Sequence, residues 1–220
     1  VDQAIESFRS VIDFHGDEVD SFELGLKATL WEGRAALTAS AYSLDWQDMI
    51  IYELHPLNAD AYNDNSGSAD IQGFEVEFSA FVTDRFSIRV AGDVNDTEVT
   101  EAPSDTSDAA GKELIYSPNN SFSIALDYAM PIRNGWKLDF HLDRAWVSSQ
   151  FPDSANSVEM PSYEKSNARI TARSSDQKWR IALFANNLEN DEILRGMRIP
   201  GTFYWHSPRQ VGLEIGYQMD

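Results

Sequence analysis

Apolar and polar residues alternate along most of this chain, and the alternation restarts many times. Phe22, Leu24, Leu26, Ala28 and Leu30 take one parity, while Glu23, Gly25, Lys27 and Thr29 take the other. The same split sets Phe74, Val76, Phe78 and Ala80 against Gly73, Glu75, Glu77 and Ser79. It recurs at 86–94, 122–130, 136–142, 168–172, 179–185 and 211–219. A period of two marks strands with one apolar and one polar face. No apolar-parity position in these segments is charged. The opposite parity carries Glu23, Lys27, Glu75, Glu77, Arg89, Asp93, Asp127, Lys137, Asp139, Arg169, Arg180 and Glu214. One further stretch, 34–52, is strand-like but mixed, with Leu37, Ala39 and Ala41 as its apolar face. No segment carries a helical period. The pattern predicts an all-β chain of about nine strands.

The connections narrow the architecture. Four are short, at 31–34, 82–85, 132–135 and 174–177, and use the Gly, Asn, Asp and Ser chemistry of tight hairpins. Between them fall longer polar stretches near 54–69, 97–119, 149–162 and 190–206. Short and long connections alternate strictly, so an antiparallel up-and-down arrangement puts every short turn on one side. That sorting is the habit of a transmembrane β-barrel, and a soluble sandwich has no reason for it. Strand length agrees: 19–30, 85–97 and 119–130 each hold ten or more residues, as a tilted span requires. Trp31, Phe81, Phe86, Trp136 and Trp179 stand beside the short turns. Tyr42, Trp46, Tyr128, Trp146, Tyr163, Tyr204 and Trp205 are read as lying toward the long loops. Rings with an apolar body and a polar edge favour those two levels of a membrane.

Composition changes the picture in three ways. The 220 residues hold 17 basic and 36 acidic side chains, a net charge of −19, which argues against a nucleic-acid partner. There is no cysteine, so disulfide scaffolds and Cys-ligated metal centres are excluded. No apolar run is long enough for a spanning helix. The chain opens on Val1 and is read as part of something longer.

Several motifs then match one family in order. Asp20-Ser21-Phe22-Glu23-Leu24-Gly25-Leu26-Lys27 resembles the S-Y-E-L-G-L-K strand of TonB-dependent outer-membrane receptors. The run from Ala35 to Ile50 resembles the strand that follows it, and Gly73-Phe74-Glu75-Val76-Glu77 the G-x-E-x-E segment. Gly111 to Pro118 is similar to the family's G-x-x-L-x-x-x-P loop exit. Phe184-Ala185-Asn186-Asn187-Leu188 resembles the N-L stretch of a late strand, and Pro208-Arg209 the P-R that opens the last one. The resemblance implies a barrel of about 22 strands with an N-terminal plug, importing scarce nutrients such as ferric siderophores or cobalamin. It makes residues 19–220 the C-terminal portion of the wall and 1–18 the end of an external loop. Implied partners are outer-membrane lipid and lipopolysaccharide, a TonB-type energy-transducing protein acting through an N-terminal region outside this chain, and a small-molecule cargo, an iron chelate. Met219 stands where the family would place an aromatic residue.

The candidate chemistry is that of binding, not catalysis. The twelve polar-parity charges read as a water-facing inner wall. Asp139-x-His141-x-Asp143 sets three metal-ligand types on one strand face, but alternate residues lie ~7 Å apart, too far to share one ion without neighbouring strands. No serine–histidine–acid arrangement or phosphate loop is present, and neither a cofactor nor an enzyme activity is expected. Loop 97–119 is acidic, with Glu98, Glu101, Asp105, Asp108 and Glu113 against Lys112. Loop 190–206 mixes Arg195, Arg198, Tyr204, Trp205 and His206. Cations beside aromatic rings suit an anionic, aromatic iron chelate, so ligand contacts are expected there. Two other classes stay open on the residues alone: a passive porin-type channel, and a soluble or surface-exposed β adhesion module. With two free edges and an apolar outer face, the segment is not expected to fold alone in water.

Overall fold

An extended chain throws successive side chains to opposite faces, so each period-two segment becomes a strand with one face for lipid and one for water. The computed structural model describes residues 15–54, 61–102, 107–199 and 201–219. Its main strands are β1 (Glu18–Leu30), β2 (Ala35–Leu54), β3 (Ala61–Phe81), β4 (Phe86–Glu101), β5 (Asn120–Pro131), β6 (Lys137–Val147), β7 (Tyr163–Arg173) and β8 (Trp179–Asn186). Two short strands follow, β9 (Leu194–Ile199) and β10 (Thr202–Trp205), then β11 (Gln210–Tyr217). Nine of them form one antiparallel sheet in the order β1-β2-β3-β4-β5-β6-β7-β8-β11, and β9 pairs with β10 separately. β1 and β11 are the two edges.

The register keeps like with like. Leu24 stands opposite Ala41, Ala41 opposite Phe74, and Phe74 opposite Val94. At the other end Ile170 faces Leu183, and Leu183 faces Leu213. A one-residue slip anywhere would turn a whole apolar row toward water, so the register is strongly specified. The sheet is one layer thick and has no core of its own. Phe22 and Leu24 keep 71% and 70% of their surface exposed, as lipid-facing side chains must. The fully buried larger side chains, Met160 and Asn187, both lie in the long connections.

Three of the four short turns, at 31–34, 132–135 and 174–177, reverse the chain through left-handed backbone. Trp31, Glu32 and Gly33 all have positive φ, with Gly33 at 90°, where glycine carries no penalty. Trp31 packs edge-on against Phe78 at 5.9 Å, and Trp179 lies 4.7 Å from Tyr217. These pairs mark the turn-side interface. Inside the wall, Tyr42 crosses Gly73 and Phe184 crosses Gly212. A Cβ at either glycine would collide with the ring.

Three sequence expectations change. Most of the stretch read as loop 54–69 is strand, since β2 runs to Leu54 and β3 starts at Ala61. Beyond the lipid both faces of a hairpin meet water, so no alternation is required and the period-two signal vanishes there. β4 likewise extends to Glu101. Among the aromatics assigned to the loop side, Tyr128 belongs near the turns, opposite Phe86 and Phe140. Tyr42, Trp46 and Tyr163 have the polar parity; of the wall aromatics in that set, Trp146 and Tyr128 have the outward one. Tyr204 and Trp205 sit on the β9–β10 hairpin, not on a wall strand. Outward charge does enter above the span: Arg144 and Glu164 have the apolar parity and pair with each other.

Candidate functional site

The polar parity of nine strands builds one continuous inner surface. Glu23 and Lys27 lie on it at the β1 edge, opposite Tyr42 and Thr38. Glu75 and Asp93 stand directly across from each other, and each takes a serine hydroxyl, from Ser40 at 2.7 Å and from Ser121. Glu77 lies between Thr38 and Ala91. Short side chains dominate this sector: Ala36, Thr38, Ser79, Ala91, Ser123 and Ala125 line a shallow concavity of about 380 Å³.

A polar run then crosses to the far sector. Arg89 Nη2 meets Asp127 at 3.0 Å, and Asp127 Oδ1 lies 2.8 Å from His141 Nδ1. Asp143 Oδ1 lies 3.2 Å from His141 Nε2, and Asn167 Nδ2 donates to Asp143 Oδ2 at 2.7 Å. Both imidazole nitrogens therefore face carboxylates from two strands. Asp139 turns away from His141 to Lys137 at 3.0 Å and Arg173 at 2.8 Å. Among the described residues no group of three or more His, Cys, Asp or Glu could hold a metal ion. Arg169 and Arg180 both pair with Glu214, and the Arg169 guanidinium lies 5.6 Å over the Phe184 ring. The twelve charges named from the sequence thus share one face. Asn167 and Arg173 were missed: both have the right parity, but they fall just outside the clean alternation at 168–172.

The long connections interlock above this wall. The Tyr116 hydroxyl donates to Met197 O at 2.7 Å and accepts from Met197 N–H at 3.2 Å. Its ring lies against Gly196, so the β4–β5 connection pins the β9–β10 hairpin. Asn156 accepts from Glu113 N–H at 2.9 Å and donates to Glu113 O at 3.1 Å, tying in the β6–β7 connection. That connection is closed by paired backbone bonds between Gln150 and Met160. Asp153 caps it from within. Burial acts to raise its pKa, but hydrogen bonds from Ser157 and Val158 more than offset that and hold the carboxyl below its usual range. Asn187, 1% exposed, bonds Asp191 N–H and O and also Ser207 O, drawing together both ends of the β8–β11 connection. These keystones have no periodicity, and only the N-L resemblance pointed at Asn187.

The candidate ligand residues divide within this crown. Arg195 is exposed on β9. Tyr204 and Trp205 are exposed on β10, opposite Gly196 and Leu194. The side chain of Arg198 lies outside the described residues, as does Asp105 of the acidic loop. His206 stacks on Tyr163 at 5.9 Å, and its N–H donates to Ile193 O at 2.9 Å. Burial lowers the His206 pKa, and the charges of Lys165 and Arg195 lower it further. Lys165, which the sequence did not single out, therefore acts on His206 as Arg195 does, while Glu164, Asp191 and Glu192 line the hollow beside Tyr163.

Comparison with known proteins places this architecture. The family described as TonB dependent receptor-like, beta-barrel matches residues 17–188. The chain is 30% identical over 153 residues to the metal-pseudopaline receptor CntO of Pseudomonas aeruginosa, covering 68% of this chain and 20% of that protein. It is 24% identical over 157 residues to the ferrioxamine receptor of Yersinia enterocolitica, covering 69% and 21%. The ferric yersiniabactin uptake receptor FyuA from Yersinia pestis superposes with a TM-score of 0.80 at 18% identity, over 93% of this chain and 30% of that one. The chain thus spans about a fifth of the length of the curated relatives it matches. With the strand order, the two-faced register and the family match in agreement, the chain belongs to the TonB-dependent receptor β-barrel family of the bacterial outer membrane.

Proposed function

We propose that this chain supplies wall and external loops to an importer that takes a ferric siderophore or similar iron chelate across the outer membrane. The observation that carries the reading is the cluster of Arg195, Lys165, His206 and Tyr163, two cations beside two rings, on a crown otherwise rich in acid. Two curated relatives are named as receptors for metal-pseudopaline and ferrioxamine, and FyuA as a receptor for ferric yersiniabactin. In this reading the crown captures the chelate through charge-assisted and cation–π contacts. Tyr204 and Trp205 add stacking surface. The twelve inner-wall charges hold a plug and water, and a TonB-type partner drives release through segments outside this chain. Lipid and lipopolysaccharide meet the outer face.

The test is growth and uptake with the full-length gene. Deletion should abolish growth on one ferric chelate as sole iron source, and a gene carrying Arg195→Glu and Lys165→Glu should raise the half-saturating chelate concentration by tenfold or more. Unchanged growth on every chelate offered rejects the reading. Uptake that persists without an energised inner membrane assigns a passive channel instead.

A further inference from the structure

Three connections of the crown converge on one side chain. Tyr116, in the β4–β5 connection, has its backbone in the left-handed region at φ 55°. That conformation is costly for a bulky residue and persists only where the surroundings enforce it. Two anchors do so here. The Tyr116 N–H donates to Phe151 O of the β6–β7 connection at 2.8 Å, and its hydroxyl donates to Met197 O and accepts from Met197 N–H on β9. The hydroxyl is thereby engaged as donor and as acceptor, and the ring is held from both ends. Yet Tyr116 keeps 42% of its surface exposed. Pinning the hairpin explains the hydroxyl, but not an uncovered ring on a strained backbone.

The register of the hairpin shows where that ring lies. Gly196 stands directly opposite Tyr204, and directly opposed residues of an antiparallel pair point to the same face. A Cβ on Gly196 would meet the Tyr116 ring and hydroxyl at 3.3–3.7 Å, so Tyr116 lies over the face that Tyr204 shares. Tyr204 is itself exposed, as is Ile115, the chain neighbour of Tyr116. Two phenol rings from different connections therefore open onto one side of the hairpin, and one of them is fixed in place. Aromatic faces pair with flat rings in offset or edge-on stacks. A ring that is already immobilised loses little freedom when it does so.

We propose that Tyr116 is a cargo-contact residue, a fixed stacking platform that acts with Tyr204 to select chelates carrying an aryl ring over chelates without one. The inference rests on the chelate reading and adds a selecting residue to it. A platform gives a preference between chelates, whereas a latch that only holds the hairpin costs every chelate equally.

The test uses the full-length receptor in outer-membrane vesicles and two anionic probes loaded with radiolabelled iron. One is the ferric complex of dihydroxybenzoate, which carries aryl rings, and the other is ferric citrate, which carries none. The aryl probe should half-saturate the wild type at a concentration about tenfold below that of ferric citrate. Tyr116→Leu, checked for heat-modifiable migration as a folded barrel, should shrink that preference to about threefold or less, and Tyr204→Leu should shrink it in part. Tyr116→Phe keeps the ring and loses both bonds to Met197, so both probes should weaken while the preference survives. Ferric citrate held as tightly as the aryl probe overturns the proposal. So does a preference that persists in the folded Tyr116→Leu and Tyr204→Leu variants, or one that disappears in Tyr116→Phe. Failure to bind either probe, with growth on another ferric chelate intact, overturns aryl selection and leaves the chelate reading standing. Growth on no ferric chelate rejects both.

Discussion

The wall and the loop crown are made of the same chain but held by different physics. In the wall, one rule decides every position: parity assigns a side chain to lipid or water, and the backbone ladder does the rest. In the crown, single side chains decide. Tyr116 fastens a hairpin by two bonds to Met197, Asn156 binds Glu113 both ways, and Asn187 closes the base of the β8–β11 connection. The wall therefore tolerates change within a face and punishes change between faces. The crown tolerates most changes and punishes a few.

The largest effect expected from this contrast is in the wall. Leu126 lies well inside the span on the outward face, opposite Ile88 and Leu142. Leu126→Lys should destabilise the full-length barrel in lipid by about 2–4 kcal/mol, whereas Ala125→Lys, one residue away on the inner face, should change it by under about 0.5 kcal/mol. Denaturant titration in vesicles measures both, and equal costs would break the parity rule. Next comes the crown's keystone. Asn187→Ala removes three hydrogen bonds that a buried side chain makes to the backbone of Asp191 and Ser207, a loss of about 1–3 kcal/mol. Hydrogen exchange should accelerate across 187–209 and stay unchanged in β1 to β6; acceleration throughout would show that crown and wall are one cooperative unit.

Smaller effects sharpen the comparison further. Tyr116→Phe removes both bonds to Met197 at a cost of about 1 kcal/mol. Exchange at 194–205 should rise by roughly fivefold, with chelate binding weakened more than barrel stability. The smallest effect is one of pH. Burial, then Lys165 and Arg195, hold His206 below the ordinary imidazole value, so the folded crown favours its neutral form. That contribution is complete above the unfolded value of about 6.5 and is lost as pH falls through the lowered folded value. Exchange in the crown, corrected for intrinsic rates, should be faster at pH 5 than at 7.5, and Lys165→Met should shrink the difference. Asp153 has the same sign in a lower window, its contribution being lost as pH falls through its own lowered value. Its depressed pKa contributes stability that is present above the ordinary carboxylate value, so it remains ionised through the His206 range.

The same contrast explains what could be read without coordinates. The wall was legible because a two-faced environment writes a two-residue period into the sequence. Leu24, Ala41 and Phe74 could be assigned to one face before any pairing was known. The signal failed where the environment stopped being two-faced, in the water-borne ends of β2 and β3. It also failed for Tyr128, whose height depends on the direction of its strand. In the crown, composition pointed to Arg195 and His206 but not to Lys165, and Tyr163 was legible only as an interfacial ring; both stand at the start of β7. No local pattern announces a contact across 40 residues.

By itself the sequence determined the number of wall strands, their faces, the side on which the turns lie and the family, because burial in lipid imposes a repeated local constraint on every wall strand. The β9–β10 hairpin, inside the stretch read as loop 190–206, escaped it. Tertiary structure alone decided which charges meet. Asp139 leaves His141 for Arg173 and Lys137, Glu214 bridges Arg169 and Arg180, and three cations align on β6, β7 and β8. Those pairings depend on register between strands, and register is fixed by whole rows of side chains, not by the residues that come to face each other.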